Sequence, residues 1–113
     1  MDLNKFTQKA QQAVLNAQQL AREFNHQTIE PAHLLLALLT QPDSTVPAVI
    51  TQIAGSAEIL KEEVHKELAN RPKVYGGSSA EAGLARQAAD VLDAAERYAK
   101  GMGDEYTSTE HIL

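Results

Sequence analysis

NHQTIEPAHLLLALL (residues 25–39) sets a histidine, His33, at the head of a leucine run, and GDEYTSTEHIL (residues 103–113) restarts the same phrase near the other end of the chain. Proline at the first position of a helix forfeits no hydrogen bond and arrives with φ already set, so Glu30-Pro31 opens a helix. Leu34, Leu35, Leu36, Leu38 and Leu39 make that helix apolar nearly all round, which places it at the centre of a fold. Gln41-Pro42-Asp43 ends it. In the second phrase Ser108 reads as an N-cap, with Thr109 and Glu110 in the first turn, where a carboxylate meets the positive end of a helix.

The rest of the chain falls into place around these two phrases. Phe6, Ala10, Ala13, Val14, Ala17, Leu20, Ala21 and Phe24 share one face of a first helix, with glutamines on the wet face. Asn4 or the competing Thr7 caps its start, and Asn25 and His26 close it. After the leucine run, a short helix over 46–54 stops at Gly55. Ser56 then caps a fourth, in which Ile59, Leu60, Val64 and Leu68 face inward. RPKVYGGSSAEAG (71–83) has the composition of a linker. A fifth helix follows, with Leu84, Ala88, Val91, Leu92, Ala95, Tyr98 and Ala99 inward, ending at Gly101 and Gly103.

An offset of 78 aligns the halves without a gap. Phe6 meets Leu84, Ala10 meets Ala88, Val14 meets Leu92, Ala17 meets Ala95, and Ala21 meets Ala99. Phe24 then meets Met102, His33 meets His111, and Leu35 meets Leu113. The expected architecture is all-α: a compact helical domain of two pseudo-repeated four-helix units. Repeat one is 1–70, the linker 71–83, and a partial repeat two 84–113, without counterparts of residues 36–70. The sequence accordingly reads as C-terminally truncated, with apolar surface expected near Ile112 and Leu113. No strand is expected.

Bulk composition removes several functions. A net charge of -5 supplies no basic face to displace counterions from phosphates, so no nucleic-acid partner is expected. The absence of cysteine excludes disulfides and thiol catalysis. MDLNKF is no secretory signal and Leu34–Leu39 is too short to span a bilayer, so the expected location is cytoplasmic, with no membrane partner.

Glu30-Pro-Ala-His33 and Glu62-Glu-Val-His65 pair a carboxylate and an imidazole at i, i+3, as di-iron bundles do. Those bundles also need inward glutamates from further helices, and the first helix offers only apolar residues there. No metal site and no catalytic residue is nominated. GGSSAEAG lacks the pattern of a phosphate-binding loop. His33 reads as scaffold that satisfies a backbone carbonyl in the core. Asp104, Glu105 and Glu110 gather about the turn before the last helix, where binding residues on a rigid scaffold concentrate.

LNKFTQKAQQAVLNAQQLAREFNHQTIEPAHLLLALLTQ, LANRPKVYGG and AERYAKGMGDEYTSTEHIL together resemble the N-terminal domain of the bacterial Clp/Hsp100 unfoldases, nearest to the ClpB-type disaggregating branch, over essentially the whole chain. The resemblance implies an all-helical domain without ATPase activity or cofactor of its own, ATP and magnesium belonging to the parent AAA+ modules. It implies binding of unfolded or aggregated polypeptide in an apolar groove, above a ring that is a homohexamer. In relatives the same domain docks adaptor proteins, so an adaptor-docking or stand-alone regulatory module is the alternative. By the same resemblance Thr7, Asp104 and Glu110 form the polar part of the client patch, with Leu92 and His111 beside the groove. Relatives that read phosphoarginine carry Thr-Glu-His in both copies. Here the first copy has Pro31-Ala32-His33, which sets this chain apart from them.

Overall fold

The computed structural model describes residues 3–41, 45–71 and 83–113. The expected helix stop at Pro42-Asp43 and residues 72–82 of the expected linker lie outside the described residues. A 3-10 turn at Leu3–Lys5 precedes α1 (Gln8–Glu23); α2 (Pro31–Thr40), α3 (Val46–Ala54), α4 (Ala57–Asn70), α5 (Arg86–Gly101) and α6 (Thr109–Ile112) follow. The predominantly helical class is as expected.

Each helix start has a local cause. Thr7, not Asn4, caps α1: its backbone is extended and its hydroxyl accepts the Ala10 amide at 3.2 Å. Asn4 is instead taken up in the 3-10 turn. Ser56 caps α4 in the same way, accepting from the Ile59 amide at 3.2 Å. Pro31 opens α2 at a position where its missing N–H costs nothing.

Small residues set the packing. Ala10, Ala13, Ala17 and Ala21 are buried along α1 and let its backbone lie close against α2. The main core gathers Phe6, Leu34, Leu38, Val46, Leu92 and Ile112. A second cluster sits under α4, where Val64 and Leu68 meet Phe24 and Leu36, with Leu20, Ala32, Leu35 and Leu60 packed against it. Ile59, expected inward, is exposed. Leu60, Val64 and Leu68 recur every fourth residue and fill the seam against α2, and Ile59, one residue before Leu60, is turned out of it.

Two strands occur where none was expected. β1 (Thr28–Ile29) and β2 (Gly83–Leu84) pair in parallel, Thr28 opposite Gly83 and Ile29 opposite Leu84. An isolated parallel bridge joins Phe6 to Thr107. Two residues are too few to show a period of two, so no local pattern announces them.

Several features recur at a spacing of 78. Both α1 and α5 have 16 residues. Phe24 and Met102 cap them with nearly the same dihedrals (φ -84°, ψ 0° and φ -87°, ψ 0°), followed by left-handed residues Asn25 (φ 59°) and Gly103 (φ 77°). The next amides return to the helix, His26 to the Ala21 carbonyl at 2.8 Å and Asp104 to the Ala99 carbonyl at 2.9 Å. The same spacing carries Phe6 onto Leu84 and Ile29 onto Thr107, so each parallel pairing joins the early position of one half to the late position of the other. Gly103 meets nothing where a Cβ would stand, so Gly103→Ala is charged only for its left-handed backbone. It is expected to cost about 1 kcal/mol, read as a lower urea midpoint at unchanged slope.

Candidate functional site

The first turn of α6 organises the site. Ser108 is its N-cap in extended conformation, and its amide donates to His111 Nδ1 at 2.9 Å. The imidazole thus supplies the half of a capping box that Glu or Gln usually provides. With Nδ1 accepting, the ring proton sits on Nε2, which donates to Asp104 Oδ2 at 2.9 Å. The start of α2 repeats the device: the Glu30 amide donates to His33 Nδ1 at 2.8 Å, and His33 Nε2 meets His26 Nδ1 at 2.8 Å. His33 is therefore scaffold, as expected, but it serves a backbone amide rather than a carbonyl.

The two histidines differ in surroundings. His111 faces a carboxylate, whereas His33 is buried against a second imidazole. Burial, then the neighbouring His26 and Arg71, push the His33 ring down to about 4, with Glu30 opposing. At neutral pH it is uncharged.

Glu110 is a clamp. Its carboxylate accepts the Ser108 and Thr45 hydroxyls, and the Thr109 hydroxyl at 3.3 Å. The Ser108 bond first, then that of Thr45, hold its carboxyl below the ordinary glutamate value, against the opposing effect of burial. Because Thr45 is the N-cap residue of α3, this one side chain ties α6 to α3.

Ser108, His111 and Asp104 have the heavy-atom spacing of a serine–histidine–acid relay, with Ser108 Oγ 3.0 Å from His111 Nδ1. The arrangement does not generate a nucleophile. Nδ1 has one in-plane lone pair, and the Ser108 amide occupies it; the hydroxyl proton is given to Glu110 instead. What resembles a catalytic relay is a helix cap. Among the described residues no group of three or more potential ligands could hold a metal ion, and no helix is long and apolar enough to cross a membrane.

Beside this turn lies a groove of about 960 Å³ between α5 and α6. Val91, Tyr98, Met102, Tyr106 and Leu113 supply apolar surface, and Asp104, Glu105 and Glu110 bring carboxylates. Among the described residues that line it there is no Lys or Arg. Tyr98 is 67% and Met102 70% exposed. Tyr98 was expected inward; in the structure it stands open in the groove.

The structure brings Asp104, Glu110 and His111 together at the groove's edge. Thr7 is half-buried and not among the lining residues; its hydroxyl caps α1, and its amide donates to the Thr107 carbonyl at 2.8 Å. Leu92 is no part of the groove wall. It is 0% exposed in the main core, and Val91, one residue and about 100° around the helix, lines the groove instead. Ile112, expected near bare surface, is buried as well, while Leu113 is exposed. Sequence reasoning missed Met102 and Tyr106 as groove residues. The signal for Met102 was its alignment with Phe24, an apolar residue at a helix end that needs a cover.

Residues 5–113 match the family model for the Clp repeat (R) N-terminal domain. The chain belongs to the Clp repeat N-terminal domain family. Its curated relatives include the chaperone protein ClpB of Nitratidesulfovibrio vulgaris, 37% identical over 115 residues, and that of Clostridium tetani, 36% identical over 115 residues. Each alignment takes in 100% of this chain and 13% of the relative, so this Clp domain spans about an eighth of the length of the ClpB proteins it matches. Among solved structures, the Hsp104 N-terminal domain from Candida albicans superposes with a TM-score of 0.83 at 23% identity, covering 96% of this chain and 71% of that one. At that identity the likeness speaks for the Clp N-domain fold.

Proposed function

We propose that this Clp N-terminal domain is the non-catalytic client-engaging domain of a ClpB-like, ATP-dependent disaggregase. It would hold unfolded or aggregated polypeptide in the α5–α6 groove and assist delivery to the AAA+ ring. We read residues 1–70 and 84–113 as related units joined by 71–83. The parent chain is a cytoplasmic homohexamer whose AAA+ modules, not this domain, use ATP and magnesium. Six weak sites on one ring raise the local concentration of client near the pore, and weakness lets the client be passed on.

The observation that supports this reading is the apolar wall of Tyr98, Met102 and Leu113 beside a carboxylate edge, in a chain whose relatives are ClpB chaperones. Asp104, half-exposed and held by His111, is an edge carboxylate open to a client. Glu110 contributes by shape, since its oxygens are already engaged by hydroxyls.

Reduced casein added to the isotopically labelled chain is expected to perturb the amides of Tyr98, Met102, Asp104 and Leu113. Tyr98→Ser with Met102→Ser should weaken binding by about tenfold, since each removes exposed apolar contact worth on the order of 1 kcal/mol, with the melting temperature little changed. Unperturbed groove amides at saturating casein would sink the reading. Stoichiometric binding of one folded partner with indifference to casein would favour adaptor docking.

A further inference from the structure

We propose that His26 and His33 form an acid latch on α4: a proton taken up by either ring releases α4 from its seat on α1 and α2 and uncovers the apolar side chains beneath it. Neither histidine lines the groove, and the latch does not depend on what the groove binds.

The pair excludes a proton by its pattern of donors and acceptors. The Glu30 amide can only donate, so His33 Nδ1 accepts it at 2.8 Å and the ring proton sits on Nε2. That proton is given to His26 Nδ1, 2.8 Å away, which leaves His26 protonated on Nε2. The two nitrogens with a lone pair to offer, His33 Nδ1 and His26 Nδ1, thus both face an N–H donor. A proton on the first breaks the α2 cap, and a proton on the second breaks the bond between the rings. His33 is 0% exposed, so water does not take over as acceptor while the structure stays closed.

The consequence falls on α4 because α4 brings the facing cation. Arg71, which closes α4, follows burial and His26 among the causes that push the His33 ring down to about 4. A charged His33 therefore meets a like charge on the cover. Glu67 pairs with Arg71 at 2.8 Å, and Glu30, at the start of α2, opposes the effect from the other side. An aromatic chain ties the same rings to α4. His26 stacks on Phe24 at 5.7 Å, and Phe24 meets His65 of α4 edge-on at 5.1 Å. Beneath α4 lie Phe24 and Leu36, 8% and 2% exposed and packed with Val64 and Leu68.

The second half carries the same cap without the trap. A proton on His111 Nδ1 would find Ser108 Oγ at 3.0 Å, an oxygen free to accept because its own proton is given to Glu110. His111 Nε2 keeps Asp104 at 2.9 Å, an ion pair once the ring is charged. At the position of Ser108 the first half has Glu30, whose carboxylate accepts the Thr28 hydroxyl at 2.9 Å. Acid is therefore expected to open one half and spare the other.

Amide hydrogen exchange of the labelled chain at pH 7 and pH 5, corrected for the intrinsic rate at each pH, tests this. With only 14 residues, α4 is marginal as a helix on its own in water, so its release shows as exchange. With a His33 value of 6.5 in the released state and about 4 in the latched one, protection of Val64 and Leu68 should fall about twentyfold from pH 7 to 5. Ala95 and Ala99 of α5 should keep theirs. His33→Asn retains an acceptor for the cap and cannot titrate, so the fall should vanish. If that variant does not fold, His26→Asn still offers His33 Nε2 an acceptor while removing the second ring, and should shrink the fall at least twofold. A dye that fluoresces on apolar surface should gain signal at pH 5 with the unaltered chain and not with His33→Asn. Unchanged protection of α4 at pH 5 would overturn the latch. So would an equal loss in α5, which would mean that the whole domain opens, or an undiminished fall in both variants.

Discussion

Lowering the pH from 7 to 4 is expected to remove about 3 kcal/mol of stability through one side chain, His33. The ring's value is 6.5 in an ordinary environment and about 4 in the fold, depressed by its complete burial, then by His26 and Arg71. Between those values the unfolded chain binds a proton that the folded chain refuses. Stability therefore falls as pH falls from about 6.5 and levels off below 4, where both states are protonated. The physical conflict is local. A proton on Nδ1 would meet the Glu30 amide, a donor, at 2.8 Å, and the charge would sit 2.8 Å from the His26 ring nitrogen. The groups around it are His26 in the loop after α1, Glu30 at the start of α2, and Arg71 at the end of α4, itself paired to Glu67 at 2.8 Å. His65 reaches the cluster through an edge contact with Phe24. Urea unfolding at half-unit pH steps checks this. His33→Asn keeps an acceptor for the cap and cannot titrate, so its midpoint should lose most of the slope between pH 6.5 and 4. An unchanged slope would place the acid sensitivity elsewhere. Glu110, whose value is depressed, has the opposite linkage: its contribution is present above the ordinary glutamate range and is lost as pH falls through that range and below.

Leu92→Ala is expected to destabilise the domain by roughly 3 kcal/mol, the usual toll of emptying a leucine site in a closed core. The side chain is wholly buried in the main core, on α5's inner face. Against a total on the order of 10 kcal/mol, that is a large share. Tyr98→Ser on the same helix should change stability by less than about 1 kcal/mol, because its ring already stands in water. The pair separates two uses of one helix. If Leu92→Ala folds with undiminished stability and loses casein binding, Leu92 belongs to the groove and its assignment to the core is wrong. If instead its binding loss tracks the unfolded fraction, the effect is indirect.

The long helices α1 and α5 were readable because each buries a stripe repeating at 3.6 residues, and α2 because it is apolar nearly all round. The strands were not readable, since a two-residue ladder leaves no periodic trace and exists only once two distant loops meet. The histidine caps could have been read. Glu-Pro-Ala-His and Ser-Thr-Glu-His both place a ring three residues after a cap position, which is the spacing of a capping box with imidazole in place of a carboxylate. The hydroxyl clamp on Glu110 could not, because Thr45 reaches it from 65 residues away. Leu92 was placed at the groove by resemblance, and its inward periodicity was the better guide.

The crossed pairing of Phe6 with Thr107 and Ile29 with Leu84 has a kinetic consequence. The Thr7, Thr107 and Ala85 amides find their partners across the chain, and the bridge of Phe6 with Thr107 closes a loop of about a hundred residues. A small helical protein would ordinarily be among the faster folders, because its contacts are local. A pairing between residues about a hundred apart raises the contact order of this helical domain, so slower refolding than that of a bundle with only local contacts is the expected result of a stopped-flow measurement.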